Sequence, residues 1–294
     1  MVVDVQEEGD SKEIPPCIIR KSDGAALYAT SDLATIVERE RLYDPDRYTY
    51  LADKRQEMHF TQVFRTARKA GIVGPEKELM FLGFGTMNGK DGKPYKTRDG
   101  GVMRLEQLIE DTNGEVLKKM TENREMSGDE AKETAKIVGL AAIKYGDLSN
   151  QAAKDYIFDL ERFVSFEGNT GPYILYTMVR IKSILAKYHA DGEKEAVAIN
   201  ASVREYGADE LALMLLAARF NDIMEHAYEE VAPHKICQYI YGLADAFNSF
   251  YHSNRILAET DEVKRGEWLS LITLVLHLLE VCIDLLGFSA PDRM

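Results

Sequence analysis

Two groups of residues in this sequence have the types and spacing to do chemistry. The first lies between Gly83 and Gly101, GFGTMNGKDGKPYKTRDGG, and carries Lys90, Lys93, Lys96 and Arg98 against only Asp91 and Asp99. It also holds six of the 21 glycines of a 294-residue chain whose formal net charge is −13. Glycine lets backbone approach a ligand closely, and lysine beside it suits phosphate oxygens. The same composition also suits a hairpin with solvated lysines. The second group is Tyr28 and Asp32, four residues apart, with His59 and Gln62, three apart. Asp32 near a helix start is either a cap stabilised by the helix dipole or the anionic wall of a cation pocket, with the ring of Tyr28 packed beside it. His59 and Gln62 share one helix face, as structural groups or as further pocket wall. Together the two groups describe a site for a planar cation next to a loop built for phosphate. No Ser/His/Asp or Cys/His arrangement supports nucleophilic catalysis, and neither GxxxxGK[ST] nor GxGxxG occurs.

These residues need elements to position them. CIIR (17–20) and LYAT (27–30) are expected to be short strands around the turn SDGA. Ser31 or Thr30 can cap a helix from Asp32 to about Leu42. YTYLAD (48–53) is expected to be a strand, residues 56–70 a helix stopped by Gly71, and MFLGFG (80–85) a strand leading into the basic loop. Strands alternating with helices imply a parallel α/β sheet, whose ligands lie at the carboxyl ends of the strands. The pattern starts without the first strand–helix units with which a nucleotide fold opens, so these residues are expected to be its later part.

From about Arg104 the hydrophobic period becomes helical. Helices are expected at 128–143, 173–188, 195–206, 209–230, 233–258 and 262–287, with GNTGP (168–172) as a loop. Ile174, Met178, Ile181 and Leu185 fall on one face of the 173–188 helix and are core positions of a bundle. Tyr173, Tyr176 and Arg180 fall elsewhere, where rings stack on splayed RNA bases and Arg holds the backbone, or where half-buried tyrosines simply complete the packing.

Composition narrows the classes. Hydrophobic content of 45% and charged content of 29% suit a soluble globular protein. The start, MVVDVQEEGDSKEIPP, has no apolar signal core. The longest apolar run, Trp268 to Gly287, contains His277, Glu280 and Asp284, which favours a buried helix over a membrane span. Cys17, Cys237 and Cys282 have neither metal nor disulfide spacing, and a reducing, cytoplasmic setting is expected. The acidic balance argues against non-specific nucleic-acid binding, though not against a nucleic acid held by a local patch.

ALYATSDLA, DKRQEMHFTQVF and GKDGKPYKTRDGGVMRLEQLIED resemble the second half of the catalytic domain of bacterial arginyl-tRNA synthetases, which are class I aminoacyl-tRNA synthetases. AIKYGDLSNQAAKDYIFD, FEGNTGPYILYT and APDRM resemble the same family in order, so the likeness covers essentially the whole chain. It implies an α/β plus all-α fold: the C-terminal half of a Rossmann-type catalytic domain over 1–111, a helical stem-contact or connecting region over 112–166, and a helical-bundle anticodon-binding domain over 167–294. Tyr28 and Asp32 match the family's YxTxD and Gln62 its HxxQ, which implies contact with arginine. Lys93-Pro94-Tyr95-Lys96-Thr97 stands at the KMSKS signature with only its two lysines kept, which implies roles for Lys93 and Lys96 at the ATP phosphates. Gly85 and Met87 match the segment whose backbone faces adenine. The helical module then implies Tyr173, Tyr176 and Arg180 as tRNA contacts.

The resemblance implies arginine–tRNA ligase activity, with ATP (and its magnesium) as a substrate, no tightly bound cofactor, no resident metal, and tRNA-Arg, arginine and ATP as partners rather than DNA or a membrane. No HIGH-like string occurs, and His59 is in the wrong context for one. The arginine and ATP sites are then each half present, and the 294 residues alone are expected not to charge tRNA. A non-catalytic RNA-binding module and an α/β protein without nucleic acid remain as alternatives.

Overall fold

A computed structural model describes residues 1–94, 103–121, 128–190 and 204–294. The chain divides into two compact units: 1–86 with 152–156, and 87–151 with 157–294.

The first unit holds β1 (Val2–Val3), β2 (Cys17–Ile18), α1 (Tyr28–Tyr43), β3 (Arg47–Asp53), α2 (Glu57–Lys69) and β4 (Glu78–Phe84). β1 and β2 pair antiparallel. β3 and β4 pair in parallel, in register from Arg47 opposite Glu78 to Asp53 opposite Phe84. Such a pair needs a crossover, and α2 supplies it. Its residues Phe60, Val63, Thr66 and Ala67 recur at helical spacing and are buried. Phe60 stacks on Phe81 of β4 at 5.0–5.1 Å from both that ring and Tyr50 of β3. Ala29, Leu33 and Ile36 bury one face of α1 in the same core. Gly71, at φ +65°, ends α2 as expected, and Ile72 N–H returns to the Ala67 carbonyl at 3.0 Å.

LYAT is not a strand. Leu27 is extended and α1 begins at Tyr28. Thr30 lies inside the first turn rather than at the cap. Its hydroxyl accepts from Leu27 N–H at 3.3 Å and donates to the Ile19 carbonyl, which satisfies a free donor at the helix start.

The second unit is helical: α3 (Leu105–Thr121), α4 (Gly128–Leu148), α5 (Leu160–Phe163), α6 (Gly171–Ala190), α7 (Ala208–Ala218), α8 (Phe220–Glu229), α9 (Pro233–Ser253) and α10 (Glu262–Leu285). Two short strands, β5 (Met87–Asn88) and β6 (Tyr156–Ile157), also fall along the chain. Ile174, Met178 and Ile181 of α6 are fully buried, as their spacing required; Leu185 is partly buried against the same core. α10 is long and apolar enough to cross a membrane, yet eleven of its residues, from Gly266 to Ile283, are buried. α10 packs against α6, α7 and α9. Gly287 (φ +76°) closes it, with Phe288 N–H on the Ile283 carbonyl at 3.0 Å.

The expected 209–230 helix is two. Arg219 (φ −82°, ψ 2°) sits in the bridge region and its N–H bonds the Leu216 carbonyl three residues back, which tightens and breaks the turn. α9 stops at Ser253, short of 258, because Asn254 is extended and its side-chain amide takes the Phe250 carbonyl at 2.8 Å. Most of the expected 195–206 helix lies outside the described residues; Arg204 to Gly207 are not helical.

Candidate functional site

In the first unit, Asp32 is the fifth residue of α1 and His59 the third of α2. The packing of the two helices brings Asp32 Oδ2 to 2.6 Å from His59 Nε2, with both side chains about 30% exposed (31% and 29%). A carboxylate only accepts, so the Nε2 proton is the donor. Among the described residues no Lys or Arg ion-pairs with Asp32, whose half-buried carboxyl meets the imidazole of His59, a cation only when protonated. Tyr28 shares the Asp32 face of α1 at i, i+4, but as the first helical residue it projects outward and is 86% exposed. The ring expected beside the carboxylate is therefore not packed there. Gln62 donates from Nε2 to the Pro15 carbonyl at 2.7 Å, turned toward the segment before β2. The structure thus joins Asp32 with His59, and sets Tyr28 and Gln62 apart from them. Tyr50, half-buried nearby on β3, has its phenol pushed above the usual value by burial, against the pull of the Arg39 guanidinium over its ring and with a smaller push from the Asp32 charge.

The glycine-rich loop leaves β4 through Gly85 and Thr86. Segment 152–156 lies against this root: Gly85 N–H donates to the Ala152 carbonyl at 2.7 Å, Thr86 N–H to Asp155 Oδ1 at 2.7 Å, and Tyr156 N–H to the Thr86 carbonyl at 3.1 Å. Lys54, just past β3, reaches the same Asp155 oxygen at 2.8 Å. That ammonium, followed by the Thr86 N–H, holds the Asp155 carboxyl below its ordinary value. No local signal in the sequence points to this contact, because Lys54 and Asp155 stand 101 residues apart.

Within the second unit the loop continues through the half-buried Met87. Gly89 N–H meets the Lys93 carbonyl at 2.7 Å, and Lys93 N–H meets Asp91 Oδ1 at 3.1 Å, so residues 89–93 form a closed turn that presents an exposed Lys93. Lys90 pairs with Asp159 at 3.0 Å, which raises its ammonium pKa. Lys96 lies outside the described residues.

On the helical module, Tyr173, Tyr176 and Arg180 do gather on one face of α6, but half-buried rather than exposed. Asn248 of α9 is their hub. Its amide donates to Tyr173 Oη at 2.9 Å and to Thr177 Oγ1 at 3.1 Å, and its carbonyl accepts from Arg180 at 2.6 Å. The Arg180 guanidinium lies over the rings of Tyr176 (4.8 Å) and Tyr251 (5.5 Å). Asn248 and Tyr251 were missed from sequence, since only the packing of α9 on α6 reveals them.

Comparison with known proteins settles the family. The family model for "tRNA synthetases class I (R), catalytic domain" matches residues 1–160, and that for the "DALR anticodon binding domain" matches residues 174–294. The chain belongs to the arginyl branch of the class I tRNA synthetases. This synthetase chain is 61% identical over 300 residues to the arginine–tRNA ligase of Agathobacter rectalis and 53% identical over 294 residues to that of Alkaliphilus oremlandii. It is covered completely in both matches and spans about half the length of these curated relatives (50% of each). Two solved arginyl-tRNA synthetases share its fold at TM-scores of 0.80. The Plasmodium falciparum structure is 23% identical and matches 100% of this chain and 50% of its own; the Thermus thermophilus structure is 20% identical and matches 100% and 53%. The expected fold class, a class I catalytic portion followed by a helical anticodon-binding domain, is what these matches bear out.

Proposed function

We propose that the whole protein containing these residues attaches arginine to tRNA-Arg with ATP, in the cytoplasm. The observation that carries the reading is Asp32: a half-buried carboxylate, held by a hydrogen bond from His59, that lacks a Lys or Arg partner among the described residues. In a chain of this family such a group suits the guanidinium of arginine. A planar fork can meet a carboxylate with two hydrogen bonds, whereas a lysine ammonium meets it as a point charge. Tyr28 and Gln62 complete the pocket in this reading, by moving onto the ligand from their outward and Pro15-bound positions.

Lys93 and Lys96 supply positive charge to the ATP phosphates, and the backbone at Gly85 and Met87 faces adenine. Magnesium arrives with ATP as substrate. Positioning and charge stabilisation at the α-phosphorus do most of the work in such an adenylyl transfer, with little side-chain acid–base chemistry. The segments 1–111, 112–166 and 167–294 serve as catalytic half, connecting region and anticodon-binding module, with Tyr173, Tyr176 and Arg180 on tRNA.

The test is tRNA charging with these 294 residues placed after the N-terminal half of the Agathobacter rectalis relative. The joined protein should charge tRNA-Arg with arginine, Asp32→Asn should raise the arginine KM by at least tenfold, and the 294 residues alone should not charge. Tight arginine use by the Asp32→Asn protein would refute the assignment of the pocket. Salt-sensitive tRNA binding with no charging by the joined protein would favour a non-catalytic RNA-binding module.

A further inference from the structure

His59 is the contact of Asp32 that the structure adds, and we infer that His59 is a positioning residue that sets selectivity for a planar guanidinium over an ammonium. The inference rests on the arginine reading of Asp32. Both ends of the contact are rigid. Asp32 is followed by the buried Leu33 on α1, and His59 by the buried Phe60, which stacks on Phe81. The two Cα positions are therefore fixed by the core, and the 2.6 Å bond from Nε2 to Oδ2 fixes the carboxylate between them.

The geometry has a chemical consequence. A carboxylate offers about four lone-pair positions, and His59 occupies one on Oδ2, leaving both Oδ1 positions and one on Oδ2 for a ligand. A two-pronged donor can still reach both oxygens, provided the carboxylate plane is already turned to it. Without His59 the Asp32 side chain must be ordered by the ligand itself, and that cost falls on binding. A guanidinium fork depends on the plane of the carboxylate. An ammonium is a point charge on a flexible stem and depends far less on it. Loss of His59 should therefore weaken arginine more than it weakens lysine.

The joined full-length protein described above provides the test, with His59→Phe, which keeps a planar ring without the donor, and His59→Gln, whose amide nitrogen can reach the position of Nε2. His59→Phe should raise the arginine KM about two- to tenfold, the scale of ordering one side chain on binding. The ATP KM and kcat should stay near their original values, and competitive inhibition by lysine should change much less than the arginine KM. His59→Gln should recover most of the arginine KM. The inference is overturned if His59→Phe lowers the arginine KM, showing that His59 competes with the ligand for Asp32. It is equally overturned if lysine and arginine weaken together with a falling melting temperature, or if His59→Gln behaves as His59→Phe. Absence of charging by the unsubstituted joined protein would remove the arginine reading itself and this inference with it, whereas charging that is indifferent to His59 removes only the inference.

Discussion

Gly85→Ala tests how the glycine-rich loop is rooted. A Cβ at Gly85 would stand 2.3 Å from the Lys154 carbonyl oxygen, 2.4 Å from its carbon and 2.7 Å from Asp155 nitrogen. These are backbone atoms and cannot swing aside as a side chain would. Ordinary contact begins at 3.4 Å, so segment 152–156 must withdraw by about 1 Å. The withdrawal would break the 2.7 Å bond from Gly85 N–H to Ala152 and the 2.7 Å bond from Thr86 N–H to the Asp155 carboxylate. A neutral bond contributes about 0.5–1.5 kcal/mol and one to a charged group about 1.5–3, so the loss is about 2–4 kcal/mol. With a urea slope of about 1–3 kcal/mol/M, the unfolding midpoint of the first unit should fall by roughly 0.7–4 M.

Hydrogen exchange followed by mass spectrometry reads this unit directly, through loss of protection in β3 and β4. Trp268, the single tryptophan, is buried in the second unit, and its fluorescence transition should move much less. In the joined full-length protein the charging rate should drop as well, because the loop carrying Lys93 leaves from this root. Unchanged protection of β3 and β4 in Gly85→Ala would show that residues 152–156 do not press on Gly85, and would refute the reasoning.

Arg204 pairs with the buried carboxylates of Glu210 and Glu267 (side chains 5% and 2% exposed), so Arg204→Ala should cost about 3–5 kcal/mol by leaving both uncompensated, read as a lower urea midpoint of Trp268 fluorescence; an unchanged midpoint would refute the pairing. Asp10 is held down to about 2, from 3.8, first by its bonds from Arg65. Because the folded value is depressed, its contribution is present above about pH 4 and is lost as pH falls toward 2, so exchange protection of residues 4–10 should fade over that window and Asp10→Asn should show no such step. Tyr176→Ala should weaken tRNA binding by about 1–3 kcal/mol if its ring stacks on a base, with affinity compared at matched urea stability; unchanged affinity would return Tyr176 to a packing role.

What the sequence disclosed and what it hid divide along a physical line. β3, α2 and β4 were legible because each carries its own period, and a parallel pair joined by a short helix has one economical arrangement. Gly71 and Gly287 were legible as stops because a left-handed cap needs glycine. The start of α1 was not, since Tyr and Thr in LYAT favour strands by propensity while Thr30 spends its hydroxyl on Leu27 and Ile19, a choice decided by where β2 lies. The site followed the same rule. Tyr28, Asp32 and Gln62 could be picked by motif, but their partners could not: His59 meets Asp32 across 27 residues, Gln62 turns to Pro15 across 47, and Asn248 meets Tyr173 across 75. Each of these contacts is a single hydrogen bond, too small to leave a periodic trace and placed only by the packing of two helices or of a helix on a loop. The residues proposed to bear charge toward a ligand are thus written locally, while the contacts that aim them are written by the fold. That is why a substitution at His59, which touches no ligand in the proposed mechanism, should move KM, and one at Gly85, where the glycine-rich loop is rooted, should move the charging rate.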